Sequence, residues 1–218
     1  MRRGRLILFI KAPRLGAVKT RLAKGIGALV AWCFYNAMLR RLWHQFSANL
    51  TWQTVLAVSP DRGAARWPPA MARQPQGRGD LGRRMARAMA GDRCHRGPVV
   101  LVGGDIPQLS RRHVAQAMAA LKRADVVFGP AADGGFWLVG LRRPQWAGRL
   151  FHKVRWSSPH ALADCLANLP PAARVVLLET LWDVDTPADY ADYAAYLKCS
   201  RKRGINSAKL QGRKRISS

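Results

Sequence analysis

Four short segments carry the residue types from which phosphate and cation chemistry is built. The first, FIKAPRLGAVKTRLAKGIG (Phe9–Gly27), ends an apolar run in a turn with Pro13 and Gly16, then sets Lys19, Thr20 and Arg21 together where a helix can begin. Gly16 lets the backbone approach a ligand, while Lys19 and Arg21 offer one point charge and one planar fork to phosphate oxygens. An NTP or a nucleotide-sugar diphosphate suits such a loop. A solvated basic loop is the alternative in a chain this basic.

VLVGGDIPQL places Asp105 just past an apolar run, with two glycines before it and Pro107 after. A carboxylate there can hold a divalent cation, because Mg²⁺ is usually bound by one or two carboxylates plus substrate phosphates; a turn-forming Asp is the alternative. DVDTPADY offers Asp183 and Asp185, with the competing reading that an Asp or Thr before Pro187 is a helix N-cap. GPAADGGFWLVGL sets Asp133 before Gly134 and Gly135, either as a hairpin turn or as a carboxylate that hydrogen-bonds a sugar hydroxyl or takes an acceptor's proton.

Two lookalikes fail. GAVKT has Val18 where a P-loop needs Gly, and Pro13 where it needs another. GRGDLG (Gly77–Gly82) satisfies G-x-G-x-x-G but follows MARQPQ, which does not read as a strand, so the tight strand-to-helix turn of a dinucleotide site is not expected. The five histidines lack metal spacing, and Cys33, Cys94, Cys165 and Cys199 form no C-x-x-C pair, which reads as reduced, incidental thiols.

The elements that must position these residues alternate. Leu6–Ile10 reads as a buried strand, Leu29 to Phe46 as a helix with an apolar stripe, Thr54–Val58 as a strand and Leu81–Ala90 as a helix. Strands over Pro98–Asp105, Asp125–Gly129, Phe136–Leu141 and Arg174–Glu179 follow. Helices are expected from Ser110 to Lys122, from Ser158-Pro159 and from Pro187. That order predicts an α/β sandwich with a mostly parallel sheet, whose ligands bind beyond the carboxyl ends of the strands. The polar segments above fall at those ends.

A chain of 218 residues favours one domain with room for an appendage. It carries 37 Lys and Arg against 12 acids, a formal charge of +25, which invites polyanions. Eight of the basic residues and no acid lie from Lys198 onward, so 1–197 reads as the domain and 198–218 as a basic, disordered tail. No stretch approaches the ~20 apolar residues of a membrane span, and the expected compartment is the cytoplasm.

Taken in order, KAPRLGAVKTRL, QGRGDLGRRM, VGGDIPQL, GPAADGGFWLVGL, WSSP and DVDTPADY resemble the transferase 1 family associated with radical-SAM/selenodomain gene clusters, over about Leu6 to Tyr196. The resemblance implies a three-layer α/β/α sandwich of the nucleotide-diphospho-sugar transferase (GT-A) type. It assigns Lys11, Gly16, Lys19, Thr20 and Arg21 to the nucleotide's base and phosphates and places Gln76, Gly79 and Asp80 near the nucleoside. Asp105 and Asp185 become ligands of Mg²⁺ or Mn²⁺, and Asp133 to Gly135 face the acceptor or sugar. Gly104 departs from the pattern, standing where Ser or Thr is expected.

The implied activity is metal-dependent transfer from a nucleotide-activated donor, with glycosyl transfer to a small-molecule acceptor first and nucleotidyl transfer to a phosphorylated small molecule second. Lys19 and Arg21 would stabilise departing phosphate charge and Asp133 would serve the acceptor. A nucleic-acid-binding protein is the rival from another class, and the tail leaves nonspecific polyanion contact open. The tail lacks an aromatic for base stacking, and no nucleic-acid module is visible.

Overall fold

A computed structural model of the chain describes residues 3–47, 51–61, 67–69, 71–92 and 94–198. The tail expected over 198–218 lies outside them apart from Lys198. Seven strands form one sheet in the order β3-β2-β1-β4-β6-β5-β7. They are β1 (Gly4–Lys11), β2 (Trp52–Ser59), β3 (Ala72–Pro75), β4 (Val99–Gly103), β5 (Val126–Pro130), β6 (Phe136–Leu141) and β7 (Val175–Leu177). All neighbours pair in parallel except β6, which runs antiparallel to both β4 and β5. The five residues between β5 and β6 dictate this, since a parallel crossover needs a dozen or more.

Both faces of the sheet are covered, as near-continuous apolar strands require. Leu6, Leu8 and Ile10 point to one face and pack with Leu39, Leu42 and Phe46 of α2 (Ala28–Phe46) and Val114 and Ala117 of α4 (Arg111–Ala120). Ile7 points to the other, against Met85 and Met89 of α3 (Leu81–Ala90), Leu150 of α5 (Ala147–Leu150) and Cys165 of α6 (Ala161–Ala167). The expected three-layer α/β/α sandwich is the fold observed. A third, smaller cluster joins Leu22 of α1 (Thr20–Ile26), Ala31 of α2 and Val184, with Trp182, Tyr190 and Tyr193 against it. Tyr190 and Tyr193 belong to a last helix, α7, over 187–198.

Some local expectations shift. The buried stripe of α2 is Ala31, Tyr35, Met38, Leu39, Leu42 and Phe46, and Leu29 is 62% exposed. Pro159 stands in the turn before α6, which begins at Ala161. GRGDLG does follow a strand, because β3 ends at Pro75; four residues rich in polar side chains at the sheet edge left too weak a pattern to read. The Asp80 carboxylate caps the start of α3, accepting from Arg83 N at 2.7 Å. Cys33, Cys94 and Cys165 are free thiols, and burial pushes the Cys165 thiol up to about 12. Among the described residues no helix is long and apolar enough to cross a membrane.

Candidate functional site

Strand β1 delivers the first site segment, and α2 fixes where it ends. The Tyr35 hydroxyl accepts from Lys11 N at 3.1 Å and donates to Lys11 O at 2.9 Å, while Trp32 Nε1 donates to Pro13 O at 2.9 Å. Burial first, then the Asp105 carboxylate, push the Tyr35 phenol upward. Gly16 adopts φ 74° in the turn that follows, with nothing near the space a Cβ would take, so its role is conformational. Lys19 then enters α1 at φ 51°, an uncommon setting for a side chain other than Gly, Asn or Asp.

That geometry turns Lys19 inward. Its side chain is 3% exposed, and Nζ lies 2.9 Å from Asp105 Oδ2 and 3.7 Å from Asp185 Oδ1. Arg21, 73% exposed, grips the far oxygen of Asp185 at 2.6 Å. Two carboxylates from the β4 and β7 ends of the sheet thus converge on one ammonium, 80 residues apart in sequence.

Each carboxylate is positioned by its own local chemistry. Asp105 follows β4 through Gly103 and Gly104; a Cβ on Gly104 would meet Ile10 Cγ2 at 2.8 Å, so packing against β1 explains why this position holds glycine here. Before α7 the cap is Thr186: Thr186 Oγ1 accepts from Asp189 N at 3.3 Å, and the Asp189 carboxylate accepts from Thr186 N at 2.7 Å and Asp185 N at 3.0 Å. The Asp185 side chain is thereby left for the cleft and not for capping. Val184, fully buried against Leu22 and Ala31, ties this loop to α1. Burying such a side chain is worth about 1.5–3 kcal/mol, and here it also sets the spacing of Arg21 and Asp185.

These residues line a cleft of about 640 Å³ at one edge of the sheet. Of the residues singled out in the sequence it contains Lys11, Lys19, Thr20, Arg21, Gln76, Asp105, Asp133, Gly135 and Asp185, whereas Gly16, Gly79, Asp80 and Gly134 do not line it. Gln76 is 1% exposed and its amide is occupied: Nε2 donates to Ile10 O and Ala57 O at 2.9 and 2.8 Å, and Oε1 accepts from Arg84. Gly79 and Asp80 shape the start of α3. Asp133 Oδ1 accepts from Gly135 N at 2.9 Å, which leaves Oδ2 for a ligand. Gly134, at φ 84°, packs its backbone on Pro159, where a Cβ would sit 2.3 Å from the carbonyl oxygen.

Sequence reasoning missed Arg84, and it offered Asp183 without giving it a role. Arg84 lies on the cleft wall with its guanidinium 5.7 Å from the Phe9 ring centroid. QGRGDLGRRM displayed it, but three arginines within those ten residues gave no reason to choose one. Asp183 lines the cleft half-buried; burial pushes its carboxyl upward, Lys19 opposes this, and Asp185 and Asp133 reinforce it. Asp105, Asp133, Asp183 and Asp185 place a third of the chain's 12 acidic residues in one cleft of a strongly basic protein. Negative charge is thereby concentrated at the edge of the sheet where the strands end.

The donor set fits a hard divalent cation. Asp105 and Asp185 already share one cationic partner, and no group of three or more His, Cys, Asp and Glu suited to a metal occurs among the described residues. Remaining ligands would come from phosphate and water, the usual habit of Mg²⁺.

Residues 42–158 match the model of a family described as "Uncharacterized protein conserved in bacteria (DUF2064)". The chain belongs to the DUF2064 family. A crystal structure from Desulfovibrio desulfuricans G20, provisionally assigned as a nucleotide-diphospho-sugar transferase, is 30% identical, with 85% of this chain and 84% of that one covered at a TM-score of 0.76. This places the DUF2064 chain in the nucleotide-diphospho-sugar transferase superfamily. Two more distant structures share its fold. Rv0371c of Mycobacterium tuberculosis complexed with manganese is 18% identical over 87% of this chain and 97% of that one, TM-score 0.52. A CMP:2-keto-3-deoxy-manno-octonic acid synthetase complexed with CTP is 12% identical over 91% and 99%, TM-score 0.54. No curated protein matches the sequence.

Proposed function

We propose that this DUF2064 chain is a metal-dependent transferase that moves a glycosyl group from a nucleotide sugar to a small-molecule acceptor. The observation that carries the reading is the convergence of Asp105 and Asp185 on one cation position, flanked by Arg21, in the cleft at the strand ends. The superfamily of the D. desulfuricans relative supports a nucleotide donor, and the manganese complex of Rv0371c supports a divalent cation.

When bound, a divalent cation held by Asp105 and Asp185 supplies charge stabilisation to the departing diphosphate. Lys19, Arg21, Lys11 and Arg84 add positive charge around the same oxygens. Neither Lys11 nor Arg84 has a carboxylate within salt-bridge distance among the described residues, so both remain available to an anion. Asp133 Oδ2 takes the proton of the acceptor hydroxyl as that oxygen attacks the anomeric carbon. Half-buried walls of Phe136, Trp156 and the buried Trp137 limit water at the reacting centre.

Nucleotidyl transfer is the second reading, favoured by the CTP-bound neighbour; the same groups then stabilise an α-phosphate under attack and pyrophosphate leaves. Incubation with nucleotide sugars and NTPs in Mn²⁺, followed by mass spectrometry, separates the two. A nucleoside diphosphate product indicates glycosyl transfer and pyrophosphate indicates nucleotidyl transfer. Absence of both with every donor would sink the transferase reading. No tryptophan among the described residues is exposed, and Tyr196 is the single exposed large aromatic among them, so the nucleic-acid alternative gains little stacking surface. For the basic stretch beyond Lys198 the reading is nonspecific polyanion attraction, tested by whether its removal abolishes heparin retention.

A further inference from the structure

Lys19 is the residue whose placement the transfer chemistry alone does not explain. A lysine meant only to meet phosphate would reach into the cleft, yet this one is buried and held by the two carboxylates that a divalent cation would use. We infer that Lys19 is a built-in counter-cation that exchanges with the divalent cation: its ammonium neutralises Asp105 and Asp185 when the cleft is empty, and leaves them for the donor's phosphate when the cation binds. The exchange rests on the metal-dependent reading above for the identity of the incoming cation.

Three features support exchange over a permanent structural bridge. First, Nζ is close to both carboxylates, yet this buried atom has no aligned hydrogen-bond partner. Charge holds it, so a second cation of higher charge competes directly, without a set of directional bonds to break. Arg155 and Asp164 show the contrast, joined by Nε–Oδ2 and Nη2–Oδ1 bonds of 2.9 and 2.7 Å plus a backbone N–H at 2.9 Å.

Second, the backbone beneath Lys19 is fixed. Val18 and Leu22 are buried on either side, and Ala23 N donates to Lys19 O at 2.8 Å. Exchange is therefore a rotation of a flexible four-carbon stem. Third, charge balances in both states. Lys19 and Arg21 face Asp105 and Asp185; a divalent cation arriving with a diphosphate brings compensating charges, the carboxylates turning to the cation and the two basic groups to the phosphates. Arg21 is already at the solvent edge and can turn freely, and the displaced Lys19 ammonium swings into the cleft, where water or the donor's phosphate receives it.

Mn²⁺ binding to the full chain without nucleotide tests this, followed by electron paramagnetic resonance. Lys19→Asn is the informative variant, since asparagine removes the charge and tolerates φ 51°; Lys19→Gln repeats the test with a longer side chain, and Lys24→Asn, exposed on α1, is the control. Both Lys19 variants are expected to bind Mn²⁺ at least tenfold more tightly than wild type, with Lys24→Asn unchanged. Equal or weaker binding, or no binding by any of the proteins, overturns the exchange. A readout on the unaltered chain covers variants that fail to fold: Lys19 should resist acetic anhydride without metal and become labelled at millimolar Mg²⁺, as mapped by mass spectrometry, and protection that persists at saturating Mg²⁺ overturns the exchange. Failure of the transferase reading is separable, because tighter Mn²⁺ binding by Lys19→Asn alongside no donor turnover in wild type sinks that reading alone, and turnover with unchanged Mn²⁺ affinity sinks the exchange alone.

Discussion

Two Asp-centred ion-pair sites in this molecule use the same residue types for opposite ends. Arg155 and Asp164 are nine positions apart, meet on the surface at the first turn of α6 and satisfy each other through three hydrogen bonds. Asp105 and Asp185 come from distant segments, converge on a buried lysine without a directional bond and face a cleft. The first arrangement is saturated and local, so it staples a turn. The second is close-packed in charge and unsaturated in bonding, which is the arrangement the proposed cation exchange needs. An ion pair's meaning therefore lies in how completely its partners are satisfied, not in its presence.

Breaking the cleft pair should have the largest effect. Asp105→Asn is expected to lower kcat/KM by roughly 10²–10³-fold, as loss of a group stabilising transition-state charge typically does. Its melting temperature should fall by only a few degrees, since the Asp105 side chain is 43% exposed. Steady-state kinetics beside calorimetry checks both, and equal loss of activity and stability would make Asp105 a structural residue like Asp164.

Arg21→Lys should come next, with kcat/KM reduced about tenfold because lysine cannot copy the fork that grips two oxygens. At 73% exposure the substitution should leave melting unchanged. Parental turnover by this variant would make the loop a solvated basic face.

Gly104→Ser sharpens the distinction between packing and chemistry at the same edge. Its Cβ would press on Ile10, so a loss of about 1–2 kcal/mol, or roughly 3–6 °C in Tm, is expected despite the added hydroxyl. An unchanged Tm would remove the packing reason for glycine.

Asp164→Asn should be the mildest, lowering Tm by about 2 °C at pH 7 without touching donor binding. Hydrogen bonds from the Arg155 side chain, then its backbone N–H, hold the Asp164 carboxyl at about 2. A depressed carboxyl stabilises the fold above its ordinary value of about 3.9 and loses that contribution as pH falls through about 2. The difference between wild type and variant should accordingly shrink between pH 4 and pH 2 in acid-unfolding curves.

Much of the fold could be read from periodicity: the apolar runs at Leu6–Ile10 and Val99–Val102 and the helix over Leu81–Ala90 lie where the pattern puts them. Strand β3 escaped because an edge strand of four residues ending in proline buries little. The direction of β6 was hidden too, since FWLVGL is equally apolar in either orientation and only the shortness of the preceding turn decides. At the site, residue types and strand ends foretold which segments meet, because ligands gather at carboxyl edges of such sheets. Their pairing was not legible. Lys19 and Asp105 are 86 positions apart, and only the backbone angle at Lys19 turns the side chain inward. Gln76 illustrates the reverse: a polar residue in a promising motif proves to join β1 and β2 through their carbonyls.

The most direct measurement is a thermal-shift titration of wild type and Asp105→Asn with nucleoside diphosphates and nucleotide sugars in Mn²⁺. Donor at about 100 times its Kd should stabilise wild type by about 2.7 kcal/mol, a rise of roughly 5–10 °C, and should leave Asp105→Asn nearly unmoved. Equal shifts in the two proteins, or none in wild type with any nucleotide, would contradict a metal-assisted nucleotide site built on Asp105 and Asp185.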